Sequence, residues 1–308
     1  MNMAKKFKFS GHQTFAFRYG WLEKGVRAVA ECPTVFSEDD ALVRLGVGKN
    51  MVESIRHWCL VTQMVEEDPE VKRNNGRVLH VSPIASKLFQ DGGWDPFLED
   101  DASLWLIHWL LVSNSRIGTT WQIAFSLFQR PDFTKQELVG YLAAFAEKQS
   151  LVIKEGSLAR DVDCFLRTYT PAKTAAKQAV AEETFDCPLQ ELNLIDLSPD
   201  GELYRFAIGA KPSLPAAVFG YAFAQYFDAA RAGRNTMSVQ ECLYGTGSPG
   251  QVFKLDENSL IEYIEDLEKT TRGRIALDET AGLKQIYRRK DLEPIKLLDI
   301  YYAMEVRK

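Results

Sequence analysis

With 308 residues, 46% of them apolar and 26% charged, the chain has the make-up of an ordinary globular protein, and it is long enough that two or three domains are expected. A formal charge of −5 excludes a general basic coat for nucleic acid, and no apolar run approaches the roughly 20 residues that span a bilayer. The N-terminus lacks the apolar stretch of a signal peptide and the five scattered cysteines form no C-x-x-C, so a cytoplasmic protein with reduced thiols is expected.

Charge is distributed unevenly. Residues 1–65 hold nine Lys/Arg against six Asp/Glu, whereas residues 66–110 hold four against nine, so a nucleic-acid contact would belong to one local face. At the start, Phe7 and Phe9, then Phe15, Phe17, Tyr19 and Trp21, alternate with smaller or polar residues. That period of two predicts an extended, half-buried segment broken by a turn at Ser10–Gln13. The segment reads either as an aromatic strand capping the core or as a platform from which His12, Gln13 and Arg18 project toward phosphate.

Ser37 with Asp40 three residues on resembles a capping box and predicts a short helix. The turn Gly46-Val47-Gly48 then offers two residues free to take positive φ before a second helix over 49–63. In that helix Met51, Ile55, Trp58 or Cys59, and Thr62 form one apolar stripe. Lys49, Asn50, Glu53, Ser54, Arg56 and His57 fall on the opposite face. A helix after a tight glycine turn, with basic and amide groups near its start, is how a helix-turn-helix presents its recognition helix. Asn75-Gly76 between two short β-prone runs predicts a hairpin with a basic tip of Lys72, Arg73 and Arg77. Three helices followed by a hairpin is the winged-helix order. Lys49, Asn50, Arg56, His57 and Arg77 are accordingly assigned to DNA, together with Arg18 and Gln13.

Ser82 caps a short helix, and Gln90–Pro96 marks a boundary loop. Glu99, Asp100 and Asp101 open an apolar helix in which His108 reads as a core histidine. Helices over 119–128 and 134–149 follow, the second with a Thr134/Glu137 capping box, and Val152–Lys154 reads as a strand. In SLARDVDCFLRTYT, residues 157–170, two readings stand. One is an internal Arg–Asp network at a domain junction. The other makes Asp161 and Asp163 metal or acid–base carboxylates with Arg160 and Arg167 on phosphate, which requires a loop in which an Asp-x-Asp pair converges. Residues 171–188 read as a linker. Two β-prone stretches, helices near 215, 237 and 257, and a hairpin over 274–289 complete the chain. The expected fold is α+β and mostly α-helical, built of tandem winged-helix-like units with short β-hairpin wings. Its expected divisions are 1–95, 96–185 and 186–308.

Several chemistries are excluded. The phosphate-loop motif fails because Val43 occupies the first glycine position and Asn50 the final hydroxyl position. The four histidines are too dispersed for a zinc site, and no Ser or Cys nucleophile motif or dinucleotide fingerprint is present.

FSGHQTFAFRYGWL, DDALVRLGVGKNMVESIRHWCL, DGGWDPFLEDDASLWLIHWLL and RDVDCFLRTY together resemble a bacterial domain family found in Ssp-type DNA phosphorothioation islands. These motifs span roughly residues 8–170. The resemblance implies nicking of DNA, which opens the backbone for sulfur insertion. It also implies partners of the same system: DNA, sulfur-transfer proteins, an ATPase and phosphosulfate-reductase-like proteins. Chemistry on the chain would rest on His12, Asp161 and Asp163, with Arg160 on phosphate and a divalent cation such as Mg held by Asp161 and Asp163. The alternatives are a non-catalytic DNA-binding adaptor and a transcriptional regulator.

Overall fold

The structure is a computed structural model that describes residues 7–71, 74–171, 187–230, 233–280 and 282–305. It is a mixed α+β protein, about half helical, with three small antiparallel sheets among the described residues. The chain forms two compact units, residues 1–124 with 132–205, and residues 125–131 with 206–308. The linker reading over 171–188 falls mostly outside the described residues, as do Lys72 and Arg73 of the expected basic tip.

In chain order the first elements are α1 Trp21–Glu31, α2 Ala41–Leu45, α3 Lys49–Val61, β1 Val65–Glu67, β2 Leu79–Val81 and α4 Pro83–Phe89. The expected Asn-Gly hairpin is present. Val65 pairs with Val81 and Glu67 with Leu79, and within the longer connection Asn75 and Gly76 adopt φ of 50° and 73°, forming a turn closed by Arg77 N donating to Asn74 O at 3.1 Å. Asn74 locks it by donating to Val78 O at 2.7 Å and accepting from Val78 N at 2.6 Å. Helix α2 starts at Ala41, not at Ser37. Val35–Ser37 is a 3-10 turn, and the Asp40 side chain caps nothing but pairs with Arg44 at 2.8 Å.

Next come α5 Asp101–Ser113, α6 Thr119–Ser126, β3 Asp132–Phe133, α7 Lys135–Lys148 and α8 Glu155–Tyr169. Helix α5 is buried from Ala102 to Val112, as its all-round apolar sequence requires. Its His108 is a satisfied core histidine, with Nδ1 2.8 Å from the Tyr169 hydroxyl. The Thr134/Glu137 capping box on α7 forms both of its bonds. Around α5 the first unit packs Phe17, Trp58, Trp105, Trp109, Trp121 and Phe165, all essentially without exposure.

Two expected strands are absent. Val152–Lys154 pairs with nothing, Val152 is fully exposed, and the chain turns at once into α8. The aromatic segment 7–18 is extended in pieces but joins no sheet. Ser10, Gly11, Gln13 and Thr14 take positive φ and bend it out of any ladder. Its alternating aromatics pack onto helices, and the Trp58 indole N–H and the Cys164 thiol donate to Phe15 O where a neighbouring strand would have done so.

The remaining elements are β4 Ile195–Leu197, β5 Tyr204–Phe206, α9 Ala216–Ala230, β6 Thr236–Ser238, α10 Val239–Tyr244, α11 Pro249–Val252, α12 Glu257–Thr270, β7 Ile275–Thr280, β8 Leu283–Arg288 and α13 Pro294–Glu305. Sheet order is β3-β5-β4 in one sheet and β6-β8-β7 in the other, where the expected C-terminal hairpin pairs Ile275 with Arg288 through Thr280 with Leu283. Among the described residues no helix is long and apolar enough to cross a membrane, and none of the five cysteines forms a disulfide.

Candidate nucleic-acid interface

Helix α3 is reached through one left-handed residue. Gly46 ends α2 at φ 62°, whereas Gly48 is extended and forms the N-cap of α3 without a side-chain cap. The first turn of α3 therefore presents its amide N–H groups, a position that favours anions. Lys49, Asn50 and Glu53 are exposed there. The face expected to be polar is only partly so, because Ser54 and His57 are buried and Arg56 is half-buried. From Ser54 onward only Arg56 of α3 escapes burial. Apart from Arg56, the C-terminal half of the helix is thus core, and its start is the part most open to a partner.

Facing that start is the segment carrying Phe15 and Arg18. The two parts enclose an open groove of about 700 Å³ lined by Phe15, Arg18, Val47, Lys49, Asn50 and Met51. The Arg18 guanidinium lies 5.7 Å from the Phe15 ring centre and 5.5 Å from that of Trp21, which fixes it over aromatic faces. Two cations and a helix start share this groove, and no carboxylate lines it among the described residues.

The loop behind the groove, Ser10–Thr14, is strained. Ser10, Gln13 and Thr14 hold φ of 65°, 47° and 66°, a conformation costing non-glycine residues about 1–3 kcal/mol each. It is fastened by Asp161 of α8. Oδ1 accepts from Ser10 N at 2.7 Å and lies 2.6 Å from His12 Nε2, and Oδ2 accepts from the Thr120 hydroxyl. His12 Nδ1 accepts from Thr14 N at 3.1 Å, which places the ring proton on Nε2 and directs it at Asp161. Ser54 Oγ holds the His12 carbonyl at 3.0 Å, and the Arg167 guanidinium holds the Thr14 carbonyl. His12 is 2% exposed and Asp161 1%, so both are committed to an internal clamp. Outside the clamp, Gln13 donates to Glu53 at 2.6 Å, tying the loop to the start of α3.

Asp163 does not join Asp161. On α8 two residues apart means opposite faces, and Asp163 is half-exposed and paired with Lys135 at 2.6 Å. The expected convergence of an Asp-x-Asp pair on one ion is thereby corrected, since it required a loop where the chain is a helix. No group of three or more His, Cys, Asp or Glu is arranged to hold a metal among the described residues. Arg160 is exposed and hydrogen-bonded to Ser157 Oγ at 3.3 Å, and Arg77 is exposed on the hairpin. Neither lines the groove. Thr120, Ser54 and Arg167 complete the clamp without any sequence motif to mark them. The helical spacing of Leu158, Val162, Phe165, Leu166 and Tyr169 was the available signal that residues 155–169 are helical.

His57 sits beside this clamp with its ring centre 5.8 Å from that of His12, and neither of its nitrogens has a hydrogen-bond partner among the described residues. Burial first, then the nearby His12, Lys8 and Arg56, push its pKa well below the usual imidazole range. Unfolded His57 takes up a proton near pH 6.5 and folded His57 resists it, so stability is expected to fall as pH drops below about 6.5. Melting curves from pH 7.5 to 5 are the check: a His57→Phe variant should lose less melting temperature over that range than the parent, and parallel curves would remove His57 as the cause.

A family model for proteins of unknown function, DUF4007, matches residues 9–302. The chain belongs to that family. Two solved structures are similar over nearly the whole DUF4007 chain. An SspB crystal structure is 31% identical, covers 97% of this chain and 90% of its own, and superposes with a TM-score of 0.84. A magnesium ion-bound SspB crystal structure is 30% identical, covers 96% and 88%, and gives the same TM-score. A search of curated protein sequences finds no match. The resemblance carried by the motifs of residues 8–170 thus leads to the same relatives, and the family model extends it through the C-terminal unit.

Proposed function

We propose that this DUF4007 protein is the DNA-binding component of a phosphorothioate modification and defence system, and that it nicks DNA so that partner proteins can insert sulfur. The likeness to SspB supports the assignment to such a system. The observation that carries the DNA-binding part is the groove in which Arg18, Lys49 and Asn50 meet the uncapped start of α3 over an aromatic floor. Cations, amide N–H groups and a helix N-terminus are the donors that phosphate oxygens accept. The order of α1, α2, α3 and the β1–β2 hairpin supports a winged-helix reading in which α3 approaches DNA end-on, with Arg77 on the wing. A strained loop clamped behind the groove agrees with a site held ready for a partner.

Asp161 and Asp163 do not fit a shared magnesium ion, so no step is routed through them. That observation favours, as second reading, an adaptor that binds DNA and leaves the cut to a partner. The two are separated by incubating supercoiled plasmid with Mg²⁺ or Mn²⁺ and either the protein alone, its partners alone, or both. Open-circular product from the protein alone, or from the mixture where the partners alone cut nothing, supports nicking; cutting by the partners alone, or intact plasmid throughout, leaves the adaptor. For binding, Arg18→Ala and Lys49→Ala should each weaken duplex affinity and reduce the slope of log K against log salt by about 0.9. An unchanged slope in both variants would reject the groove as the interface.

A further inference from the structure

Farther along α3 lies a second recess that the groove does not include. It measures about 690 Å³ and is bounded by α3, β1, the N-terminal segment and the turn between α5 and α6. Lys8, Arg56 and Arg116 line it, with Glu66, Glu67 and Ser115. The backbone of Lys8 is anchored, its N–H donating to Thr119 Oγ1 at 3.0 Å. Its ammonium has no ion-pair or hydrogen-bond partner among the described residues. Arg56 spends one guanidinium nitrogen on Gly76 O at 2.7 Å, at the tip of the hairpin. Of the two carboxylates, Glu66 lies 3.5 Å from His80 Nε2, leaving Glu67 nearest the cations.

Such an assembly is unfavourable by itself. Burial, then the charges of Arg56 and Arg116, lowers the Lys8 pKa against the pull of Glu67, and burial lowers that of Arg56. Three cations gather in this recess with Glu67 as their near carboxylate, which leaves an excess of positive charge that an oxyanion can neutralise. The donor set is selective: guanidinium forks match paired oxygens, and the lysine adds a point charge. We propose that this recess is a phosphate-binding pocket, separate from the groove at the start of α3. Lys49 and Arg56 are seven residues apart, two turns along one face of α3, so a nucleic acid lying in the groove could place a terminal phosphate here. A free phosphate ligand would use the same donors. The pocket does not depend on the DNA reading.

The test uses the full chain and three probes: inorganic phosphate, an oligonucleotide with a 5′-phosphate, and the same oligonucleotide with a 5′-hydroxyl. Inorganic phosphate is expected to raise the melting temperature more than chloride does at equal ionic strength. Lys8→Ala and Arg116→Ala, both at exposed positions, should weaken phosphate binding about tenfold each, the loss expected for one charge-assisted hydrogen bond. Lys49→Ala should leave phosphate binding intact. If the 5′-phosphate also tightens oligonucleotide binding and the two variants abolish that gain, the ligand is a nucleic-acid end. If phosphate binds but neither oligonucleotide does, the ligand is a free phosphate and the DNA reading falls while the pocket stands. The pocket is overturned if phosphate does no more than chloride and the 5′-phosphate confers no gain, or if Lys49→Ala alone removes the effect.

Discussion

Replacing Asp161 with alanine is expected to destabilise the protein by about 3–5 kcal/mol, the range for removing one partner of a buried charged network. The carboxylate accepts from Ser10 N, His12 Nε2–H and the Thr120 hydroxyl, and the His12 and Thr120 donors would be left buried without it. Loss of the acceptor also releases the backbone strain stored in Ser10, Gln13 and Thr14. For a unit of this size the melting temperature should fall by about 10 °C. Amide exchange at Ser10 should accelerate, and on the proposed DNA reading affinity should decline because the loop no longer supports Arg18. Asp163→Ala removes only a half-exposed pair with Lys135 and should cost about 1 kcal/mol or less. That inequality is the decisive readout. Two ligands of one metal ion would lose activity together and leave stability without added metal nearly untouched, so equal, small losses of melting temperature in both variants would refute the clamp.

Lys254→Met in the second unit is expected to stabilise the protein at neutral pH and to alter its pH dependence. Lys254 is 7% exposed, donates to Phe125 O at 2.7 Å, and lies 4.2 Å from the centre of the Phe206 ring. Burial lowers its pKa from 10.5 to about 7, which corresponds to roughly 5 kcal/mol against charging it. The unfolded lysine holds its proton up to about 10.5 and the folded one only up to about 7. The cost is therefore complete below pH 7 and is relieved as pH rises toward 10.5. The buried thiols act oppositely above about pH 8.5, since burial pushes Cys59 up to about 12 while unfolded cysteine ionises. The quantity to measure is hence the difference in melting temperature between parent and variant from pH 6.5 to 9.5. The advantage of Lys254→Met should shrink steadily as pH rises. A constant difference, or a variant less stable throughout, would show that Lys254 remains charged at little cost and that its hydrogen bond dominates.

The sequence by itself determined those elements whose signals are local. The Thr134/Glu137 capping box, the Asn75-Gly76 hairpin, the α12 helix, the C-terminal hairpin and the core placement of His108 follow from residues within a few positions of one another. The family resemblance was legible for the same reason, since its motifs are contiguous. Tertiary structure alone decided the rest. Period-two aromatics in residues 7–21 suit a strand, but they also suit a chain laid over helices, and the positive-φ residues of the Ser10–Thr14 loop chose the latter. Asp161 and Asp163 look equivalent in sequence, yet helical geometry sends one inward and the other to Lys135. His12 and Asp161 meet across 149 positions, and Lys8 and Thr119 across 111. No periodicity encodes such meetings. The face of a residue is set by its neighbours in sequence, but its partners are set by how the helices pack, and both the clamp and the proposed phosphate pocket are made of partners.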